Sequence, residues 1–530
     1  MRPLLPSTLR ADVNVRQTRY NRVNKGPGRR FILKLTAEQE QICASGAQAV
    51  RVIAYAGTGK TSTLVAWSLA HPQWRTLYIA FNKSVQTEAS QRFPRHVTAK
   101  TSHSLAFAAV GHLYAHKIGS LSPYYLSRNL NGPGRLSPVQ SLYYQLILDT
   151  LGSFWSSTDE ELTPALIPLT GVNSALIPAL DLGKVARDAQ KVWERMQDPT
   201  DTSVPMTHDG YLKLYGLSHP HLPFDAILFD EAQDANPVTL QIVTEQSHAQ
   251  LVFVGDPWQA IYGFRGAVNA MDTTPADQTF RLTGSFRFGP EIAGVATRLL
   301  QWRKASTSAL RGLGEKEPLA PGVKPTEAVI CRTNAGLFSE AVRILTENPG
   351  ARLGFVGGIR GYQFDLLEQV YTLWAKRPPR DPFLSLFATF EQLQSYAQDS
   401  RDVTLRVRCR LVQEYGHAIP LWLKKITAAA GEPTSADVIL STTHKSKGLE
   451  FDHIRLGDDY IDLLEERRRW LLWNNMPPGP AKDAYYQDSV LPQEEINMLY
   501  VASTRATRQL MLPPSVYTAL VPSAKPRKTS

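Results

Sequence analysis

The chain has 530 residues, of which 43% are apolar, and its 58 Lys and Arg outnumber 48 Asp and Glu to give a net charge of +10. This length predicts more than one domain, and the positive charge favours a polyanionic partner. Three widely spaced cysteines and the lack of an apolar run of about 18 residues exclude a disulfide scaffold, a cysteine metal cluster and a membrane span. We therefore expect a cytoplasmic protein.

Both ends of the chain differ in composition from the middle. Residues 1–34 carry nine Lys or Arg against one acid, Asp12, with little apolar periodicity. They are interpreted as a basic N-terminal arm that makes loose phosphate contacts. Residues 513–530 contain Pro, Lys and Ser and are predicted to form a frayed C-terminal tail.

The segment AYAGTGKT, Ala54–Thr61, lies between a predicted buried strand and a predicted helix. Its glycines allow a tight turn whose N–H groups face an anion, and the following helix N-terminus faces the same anion. Ala54 occupies the position where this pattern usually has its first glycine. The lysine suits the phosphates and the threonine hydroxyl suits magnesium. The predicted nucleotide-binding residues are Ala56, Gly57, Thr58, Gly59, Lys60, Thr61 and Ser62.

A second acidic segment follows about 170 residues later, where the apolar run Ala226–Phe229 leads into Asp230 and Glu231. A buried strand that ends in two carboxylates suits magnesium binding by the first and activation of water by the second. Together with the phosphate loop, this pair predicts hydrolysis of a nucleoside triphosphate, with ATP and Mg²⁺ as cofactors.

Short apolar runs alternate with helical stretches along the rest of the chain, which predicts an α/β protein with parallel sheets. Residues 105–222 and 357–436 are predicted to be mainly helical insertions into two α/β cores. The predicted strands are Val52–Tyr55, Leu77–Ala80, Ala226–Phe229, Leu251–Val254, Ala328–Cys331, Val438–Leu440 and Ile454–Leu456.

The ordered motifs resemble those of superfamily 1 DNA helicases of the UvrD/Rep/PcrA type from about Leu35 to Arg508. A more specific likeness is to the helicase region of F-box DNA helicases, carried by AYAGTGKT, AFNKSV, KTSHSLAF, GFRGAVNA, LTGSFRFGPEIA and VGGIRG. The resemblance implies two RecA-like parallel-sheet cores of the P-loop NTPase type, each with a helical insertion. It also implies an ATP-dependent DNA helicase or translocase that moves 3′–5′ on single-stranded DNA.

The implied domain boundaries follow from the same comparison of motifs. They are a basic arm at 1–34, core 1A at 35–104 and 223–280, insertion 1B at 105–222, core 2A at 281–356 and 437–512, a reduced insertion 2B at 357–436, and a tail at 513–530. In this family the two cores share one nucleotide, and closure and reopening of the cleft produce directed movement.

Further nucleotide contacts are implied by the resemblance. Gln39 would bind the adenine edge, Phe286 would stack on adenine and Glu450 would bind the ribose. Gln259 and Arg287 would contact the γ-phosphate. Arg505 would be the arginine finger that stabilises the transition-state charge. The predicted catalytic residues are therefore Lys60, Glu231, Gln259, Arg287 and Arg505, and the predicted metal-binding residues are Thr61 and Asp230.

The DNA contacts are also carried over from the family motifs. Tyr262 and Phe264 are candidates for stacking on bases, and the alternative is that one of them is a core residue. The predicted DNA-binding residues are Phe81, Asn82, His103, Tyr262, Phe264, Arg265, His444 and Lys445. The expected partners are single-stranded DNA and junctions of single and double strands, with an unidentified protein as a further partner, and the protein would be nucleoid-associated if bacterial.

One departure from the family pattern is the small second insertion, about 80 residues long. In the family this insertion bears on duplex contact, so one alternative is a translocase that clears proteins from single strands. A further alternative, from another class, is a DNA-binding adaptor with an inactive ATP site or an ATP-fuelled DNA-binding subunit of a nuclease or defence complex. Within it, Arg401–Lys425 is interpreted either as a helix with Leu405, Cys409 and Val412 inward or as a strand with arginines on one side. The short flanking segments predict neither an F-box nor a fused nuclease.

Overall fold

A computed structural model describes residues 34–131, 138–169, 177–263, 269–302, 309–314, 325–381, 383–399, 403–489 and 493–521. The predicted basic arm thus lies outside the described residues, apart from Lys34. The described residues divide into two compact units. The first unit lies within Leu33–Gly284 and Leu366–Gly416, and the second within Ser285–Asp365 and His417–Ser530.

The first unit contains a six-stranded sheet in which every paired neighbour is parallel. The strand order is β3-β2-β4-β5-β1-β6. Strands β2, β4 and β5 are buried on both faces, as expected for a parallel sheet covered by helices. The strands are β1 (Ala49–Ala54), β2 (Thr76–Ala80), β3 (Val97–Thr101), β4 (Ala226–Phe229), β5 (Gln250–Gly255) and β6 (Gln278–Leu282).

Helices connect these strands and fill the predicted first insertion, where α4 to α8 lie together with short 3₁₀ turns. Apolar side chains of the insertion, such as Trp193 and Tyr211, belong to the same hydrophobic cluster as Phe229 and Phe253 of the sheet. The helices are α1 (Ala37–Cys43), α2 (Lys60–Ala70), α3 (Lys83–Arg92), α4 (Ser102–Ala109), α5 (Pro123–Asn131), α6 (Pro138–Ser156), α7 (Leu182–Gln197), α8 (His208–Leu217), α9 (Pro237–Thr244) and α10 (Ala270–Thr273).

The second unit also contains a six-stranded parallel sheet, with the order β11-β10-β12-β9-β13-β14. The predicted α/β class with two parallel-sheet cores is therefore confirmed. Two short strands, β7 (Gly284–Ser285) and β8 (Arg311–Gly312), lie outside both sheets. The strands of the second sheet are β9 (Glu327–Cys331), β10 (Leu353–Phe355), β11 (Ala430–Gly431), β12 (Val438–Thr442), β13 (Phe451–Leu456) and β14 (Ala506–Met511).

The remaining helices follow in chain order. They are α11 (Pro290–Leu300), α12 (Asn334–Glu347), α13 (Phe364–Trp374), α14 (Phe390–Asp399), α15 (Val403–Tyr415), α16 (Ile419–Ala429), α17 (Thr443–Ser446), α18 (Leu463–Asn475), α19 (Pro480–Ser489), α20 (Gln493–Ser503) and α21 (Pro514–Leu520). The arginine-rich stretch is the helix α15 with Leu405, Cys409 and Val412 buried, so the strand interpretation is wrong.

The prediction of a frayed C-terminal end is wrong for residues 514–520. These residues form α21, which starts with a proline in its first turn. Val516 and Leu520 lie four residues apart, on one face of the helix, and both are buried. Burial of these two side chains stabilises a segment whose Pro- and Ser-containing composition had suggested a loose end.

Candidate nucleotide-binding and DNA-binding sites

The phosphate loop connects β1 to α2 and has the backbone that an anion cradle requires. Gly57 and Gly59 adopt positive φ angles of 73° and 82°, where a side chain would be strained. The Thr58 hydroxyl donates to the Tyr55 carbonyl at 2.7 Å and closes the turn. Ala56 is buried beneath the loop. The loop N–H groups and the start of α2 thus form a nest of the kind that binds phosphate.

Four charged or hydroxyl side chains of the predicted site come together beside this loop. Lys60 Nζ lies 2.9 Å from Glu231 Oε2. Thr61 Oγ1 lies 3.4 Å from Asp230 Oδ2, which also accepts a hydrogen bond from the Tyr78 hydroxyl at 2.7 Å. Residues that are about 170 positions apart in the sequence therefore meet because β1 and β4 end at the same edge of the sheet.

The electrostatics of this cluster follow from burial and close charges. Burial lowers the pKa of Lys60, but the neighbouring carboxylates, led by Glu231, outweigh it and raise the pKa above its usual value. Burial first, and then the charge of Glu231, raise the pKa of Asp230 to about 6. The charge of Lys60 and the Tyr78 hydroxyl oppose that rise. The cluster thus holds a lysine and two carboxylates in a setting where charge is costly unless it is paired.

Gln233 was missed by the sequence reasoning, although it links two of the predicted parts. Its side-chain nitrogen donates to Glu231 at 2.7 Å and to Asp234 at 2.9 Å. Its oxygen accepts the backbone N–H of Asp256 at 3.0 Å, and Asp256 in turn accepts from the Gln259 amide at 2.7 Å. A Cβ on Gly255 would lie 2.5 Å from this oxygen. The only signal in the sequence was the glutamine inside DEAQD.

Gln39 lies at the first helix, next to α2. The Thr36 N–H donates to the Gln39 side-chain oxygen at 3.0 Å, and the Gln39 amide donates to the Thr63 hydroxyl at 3.0 Å. The side chain is buried, and it caps α1 while it contacts the phosphate-loop helix. Ser62 lies on the same helix, 3.5 Å from an Arg92 nitrogen.

The residues of the cluster fit a magnesium–nucleotide complex. Magnesium takes oxygen ligands and keeps several waters, so one hydroxyl and one carboxylate suffice as protein ligands. The Thr61 hydroxyl and the Asp230 carboxylate provide such a pair. Among the described residues, no group of three or more His, Cys, Asp or Glu is arranged to hold a metal ion. A metal here would therefore depend on the nucleotide for much of its shell.

The second unit brings together another set of the predicted nucleotide-binding residues. Arg287 Nε donates to Glu450 Oε1 at 2.8 Å, and Arg287 Nη1 donates to the Thr504 carbonyl at 3.0 Å. Phe286 precedes this arginine and is 43% exposed. Two distant segments, at Glu450 and Thr504, thus converge on the Arg287 guanidinium.

Arg505 follows Thr504 at the end of α20 and is 2% exposed. Its Nε donates to the Val501 carbonyl at 3.0 Å, and its Nη2 lies 3.4 Å from the Thr504 hydroxyl. The helix itself is anchored at its other end, where Arg332 makes two bonds of 2.8 and 2.6 Å with Glu495. The sequence reasoning missed this anchor.

Glycines 312 and 314 are a second feature of this site that sequence reasoning missed. A Cβ on Gly312 would lie 2.3 Å from the Gly289 backbone, and one on Gly314 would lie 2.7 Å from the Phe288 backbone. The chain at β8 therefore packs directly against the segment that carries Phe286 and Arg287. Only glycine permits so close an approach.

The predicted base-stacking residue Tyr262 lies against Phe81, another predicted DNA contact, in the first unit. The rings of Phe81 and Tyr262 are 5.6 Å apart and inclined by only 18°, and Phe81 is 41% exposed. Asn82 caps α3 by accepting the Val85 N–H at 2.9 Å. Two further predicted DNA contacts, Phe264 and Arg265, lie outside the described residues.

The remaining predicted DNA contacts lie in different surroundings. His103 Nε2 lies 3.1 Å from Asp209 Oδ1. In the second unit, His444 and Lys445 form part of the short helix α17. The Lys445 ammonium lies 4.0 Å from the centre of the Tyr362 ring. A Cβ on Gly361 would lie 2.2 Å from the Lys445 Nζ. Burial lowers the pKa of Lys445.

Two parallel sheets and a glycine-lined phosphate loop with paired carboxylates define the RecA-like fold of P-loop NTPases. Residues 217–274 match the family described as the UvrD/REP helicase N-terminal domain. The predicted resemblance to DNA helicases of the UvrD/Rep type, and to F-box DNA helicases in particular, is confirmed by this match and by the relatives.

The relatives align with most of the chain. F-box DNA helicase 1 of Gallus gallus is 33% identical over 520 residues, which cover 91% of this chain and 49% of that protein. F-box DNA helicase protein 1 of Schizosaccharomyces pombe is 30% identical, with 90% and 57% covered. DNA helicase IV of Escherichia coli is 23% identical, with 90% and 67% covered. The chain thus spans about half the length of the F-box relatives. In the part that the structure describes, no helix is long and apolar enough to cross a membrane.

Proposed function

We propose that this chain is an ATP-dependent DNA helicase that couples hydrolysis, with magnesium, to 3′–5′ movement on single-stranded DNA. The observation that carries the proposal is the cluster at the phosphate loop, where Lys60 meets Glu231 and Thr61 faces Asp230. These four side chains can bind phosphate, hold magnesium and activate water, and a P-loop protein needs these roles to hydrolyse ATP. The named activities of the relatives agree with it.

Each residue of the first unit has a defined task in this proposal. Lys60 binds phosphate, and Thr61 and Asp230 hold the magnesium, which supplies positive charge to the phosphate oxygens. Glu231 orients the attacking water and takes its proton. Gln259 lies within the Gln233–Asp256 set of hydrogen bonds and responds to the terminal phosphate.

We propose that Arg287 and Arg505 stabilise charge in the transition state. Arg287 is held by Glu450 and the Thr504 carbonyl, and Arg505 is held by its own helix end, so both guanidinium groups are oriented in advance. Preorganised cations are effective because they need not reorient when charge develops. We propose that Phe286 stacks on adenine, Glu450 binds ribose and Gln39 lies near the adenine edge.

DNA binding in this proposal combines stacking with contacts to phosphate. The exposed Phe81 ring and the partly buried Tyr262 ring together provide an aromatic surface, on which bases stack whatever their sequence. Asn82, His103, His444 and Lys445 supply polar contacts, and the +10 net charge favours association with a polyanion.

The test is an ATPase assay of the purified chain with and without single-stranded DNA, followed by strand displacement. We expect strong stimulation by single strands, and displacement from duplexes with a 3′ tail but not from those with a 5′ tail. An ATPase rate that no DNA changes would contradict the proposal and favour the alternative of a DNA-binding adaptor.

A second candidate is a translocase that clears proteins from single strands without efficient unwinding. The observation that favours it is the small size of the predicted second insertion, 357–436, in which the described residues form the helices α13 to α16. Clearance of a bound single-strand-binding protein without strand displacement would support this candidate over the helicase.

A further inference from the structure

Tyr78 lies in the middle of β2, where it pairs with Leu228 of β4, two residues before Asp230. The residue is fully buried, and its ring contacts Phe93 with a centroid distance of 4.6 Å. The ring belongs to the hydrophobic core between the sheet and α2 and α3. Because packing fixes the ring, the position of its hydroxyl is fixed as well.

That hydroxyl is directed at a carboxylate. It donates to Asp230 Oδ2 at 2.7 Å, the same oxygen that lies 3.4 Å from the Thr61 hydroxyl. The other oxygen, Oδ1, accepts the Glu231 backbone N–H at 2.9 Å. Oδ2 therefore accepts the short bond from Tyr78 and a longer one from Thr61, while Oδ1 accepts from the backbone, and these donors hold the carboxylate with Oδ2 toward Thr61.

We propose that Tyr78 is a positioning residue that holds Asp230 with Oδ2 turned toward Thr61, so that the two oxygens are preset to hold magnesium. The inference rests on the proposed function, since it concerns the metal that accompanies the nucleotide. Tyr78 itself does not touch the nucleotide.

The acceptor distinguishes this role from ordinary core packing, because it is the carboxylate oxygen that also lies 3.4 Å from the Thr61 hydroxyl. A buried phenolic hydroxyl needs an acceptor, and a backbone carbonyl meets that need elsewhere in this unit, where the Tyr114 hydroxyl donates to the Gln197 carbonyl at 2.9 Å. The Tyr78 hydroxyl instead binds an ionisable group, and hydrogen bonds to ionised groups are the stronger ones. Removal of the hydroxyl leaves the ring packing in place and frees the carboxylate to rotate.

The test compares the full chain with its Tyr78→Phe variant in calorimetric binding of ADP, with Mg²⁺ and with EDTA. We expect affinity in Mg²⁺ to fall about tenfold, the scale of one hydrogen bond to a charged group, while affinity in EDTA stays the same. Tyr114→Phe is the matched control and should change neither affinity. In the ATPase assay, the Mg²⁺ concentration for half-maximal rate should rise, with kcat at saturating Mg²⁺ near the wild-type value.

Two results would overturn the inference while leaving the proposed function intact. One is a Tyr78→Phe variant that binds ADP like the wild type in both buffers. The other is an equal loss of affinity in both buffers together with a lower melting temperature, which would assign Tyr78 to the core alone. Failure of the wild-type chain to bind ADP in either buffer would instead overturn the proposed function, and the inference with it.

Discussion

The two units hold their charged site residues in partly different ways. In the first, Lys60 is paired with Glu231. In the second, Arg287 is likewise paired with a carboxylate, that of Glu450, but Arg505 is held by the carbonyl and hydroxyl groups of its own helix end. A phosphate that binds Lys60 or Arg287 would compete with a carboxylate partner, whereas one that binds Arg505 would compete with the Val501 and Thr504 oxygens.

In the proposed function, this difference fits two kinds of role. Lys60 and Glu231 remain paired until phosphate binds the lysine. Arg505 stabilises charge, and its hydrogen bonds orient it beforehand, which is the source of such an effect. Variants at each site test this difference.

The largest effect is expected for Glu231→Gln. Loss of the base should lower kcat about 10³- to 10⁴-fold, while ATP binding is retained because Lys60, Thr61 and Asp230 remain. Steady-state ATPase and ATP binding by filter retention are the measurements. The matched control is Glu245→Gln, an exposed glutamate that pairs with His219, which should leave kcat unchanged. Near wild-type turnover in Glu231→Gln would remove Glu231 from the chemistry.

Arg505→Ala should lower kcat about 10³-fold, as for arginine fingers in general, with a much smaller change in ATP affinity. Arg505→Lys should also have a low kcat, because an ammonium lacks the planar, forked set of donors of a guanidinium. Arg508→Ala removes a nearby arginine that pairs with Asp452, and it should leave turnover nearly intact. If both variants lose activity only in parallel with their melting temperatures, then Arg505 is a structural residue.

A smaller effect is expected at the aromatic surface. Phe81→Ala should weaken binding of single-stranded DNA by about 1–3 kcal/mol, the value of one stacked base, and leave basal ATPase unchanged. Fluorescence anisotropy of a labelled oligonucleotide measures it. Tyr517→Ala removes another exposed aromatic side chain, from α21, and serves as the control. An intact DNA affinity in Phe81→Ala would leave the Phe81–Tyr262 pair with a packing role only.

The smallest effect concerns a single phosphate contact. Binding of single-stranded DNA should weaken linearly with salt on a log–log plot, with a slope of about −0.7 for each phosphate contacted. Lys445→Ala should reduce the slope by about 0.7. Lys482→Ala, whose ammonium lies over Trp473, should leave the slope unchanged. Equal slopes in wild type and Lys445→Ala would remove Lys445 from the phosphate contacts.

The sequence predicted the first site more completely than the second. A phosphate loop and a strand that ends in carboxylates are local patterns, and each predicted strand run coincides with a strand of the two sheets. Parallel topology then brings their ends together, as Lys60 and Glu231 show. The local patterns were sufficient because each supplies adjacent site residues, Lys60 with Thr61 and Asp230 with Glu231, and the parallel sheet brings the two patterns together.

Other features depend on contacts that no short pattern records. Strands β3 and β14 are partly exposed edge strands, and their polar residues hid them from a search for apolar runs. The bonds of Gln233 to Asp256 and of Arg332 to Glu495 join residues far apart in the chain. The site residues of the second unit were identified only by resemblance to a family.

Glu231 has a left-handed backbone, with φ of 53° and ψ of 39°. For a residue with a Cβ this conformation costs about 1–3 kcal/mol, and glycine would avoid most of that cost. In the proposed function, this position lowers folding stability in order to direct one catalytic carboxylate. A selection for thermal stability alone should therefore favour glycine at position 231, and the selected variants would be more stable but would lose ATPase activity.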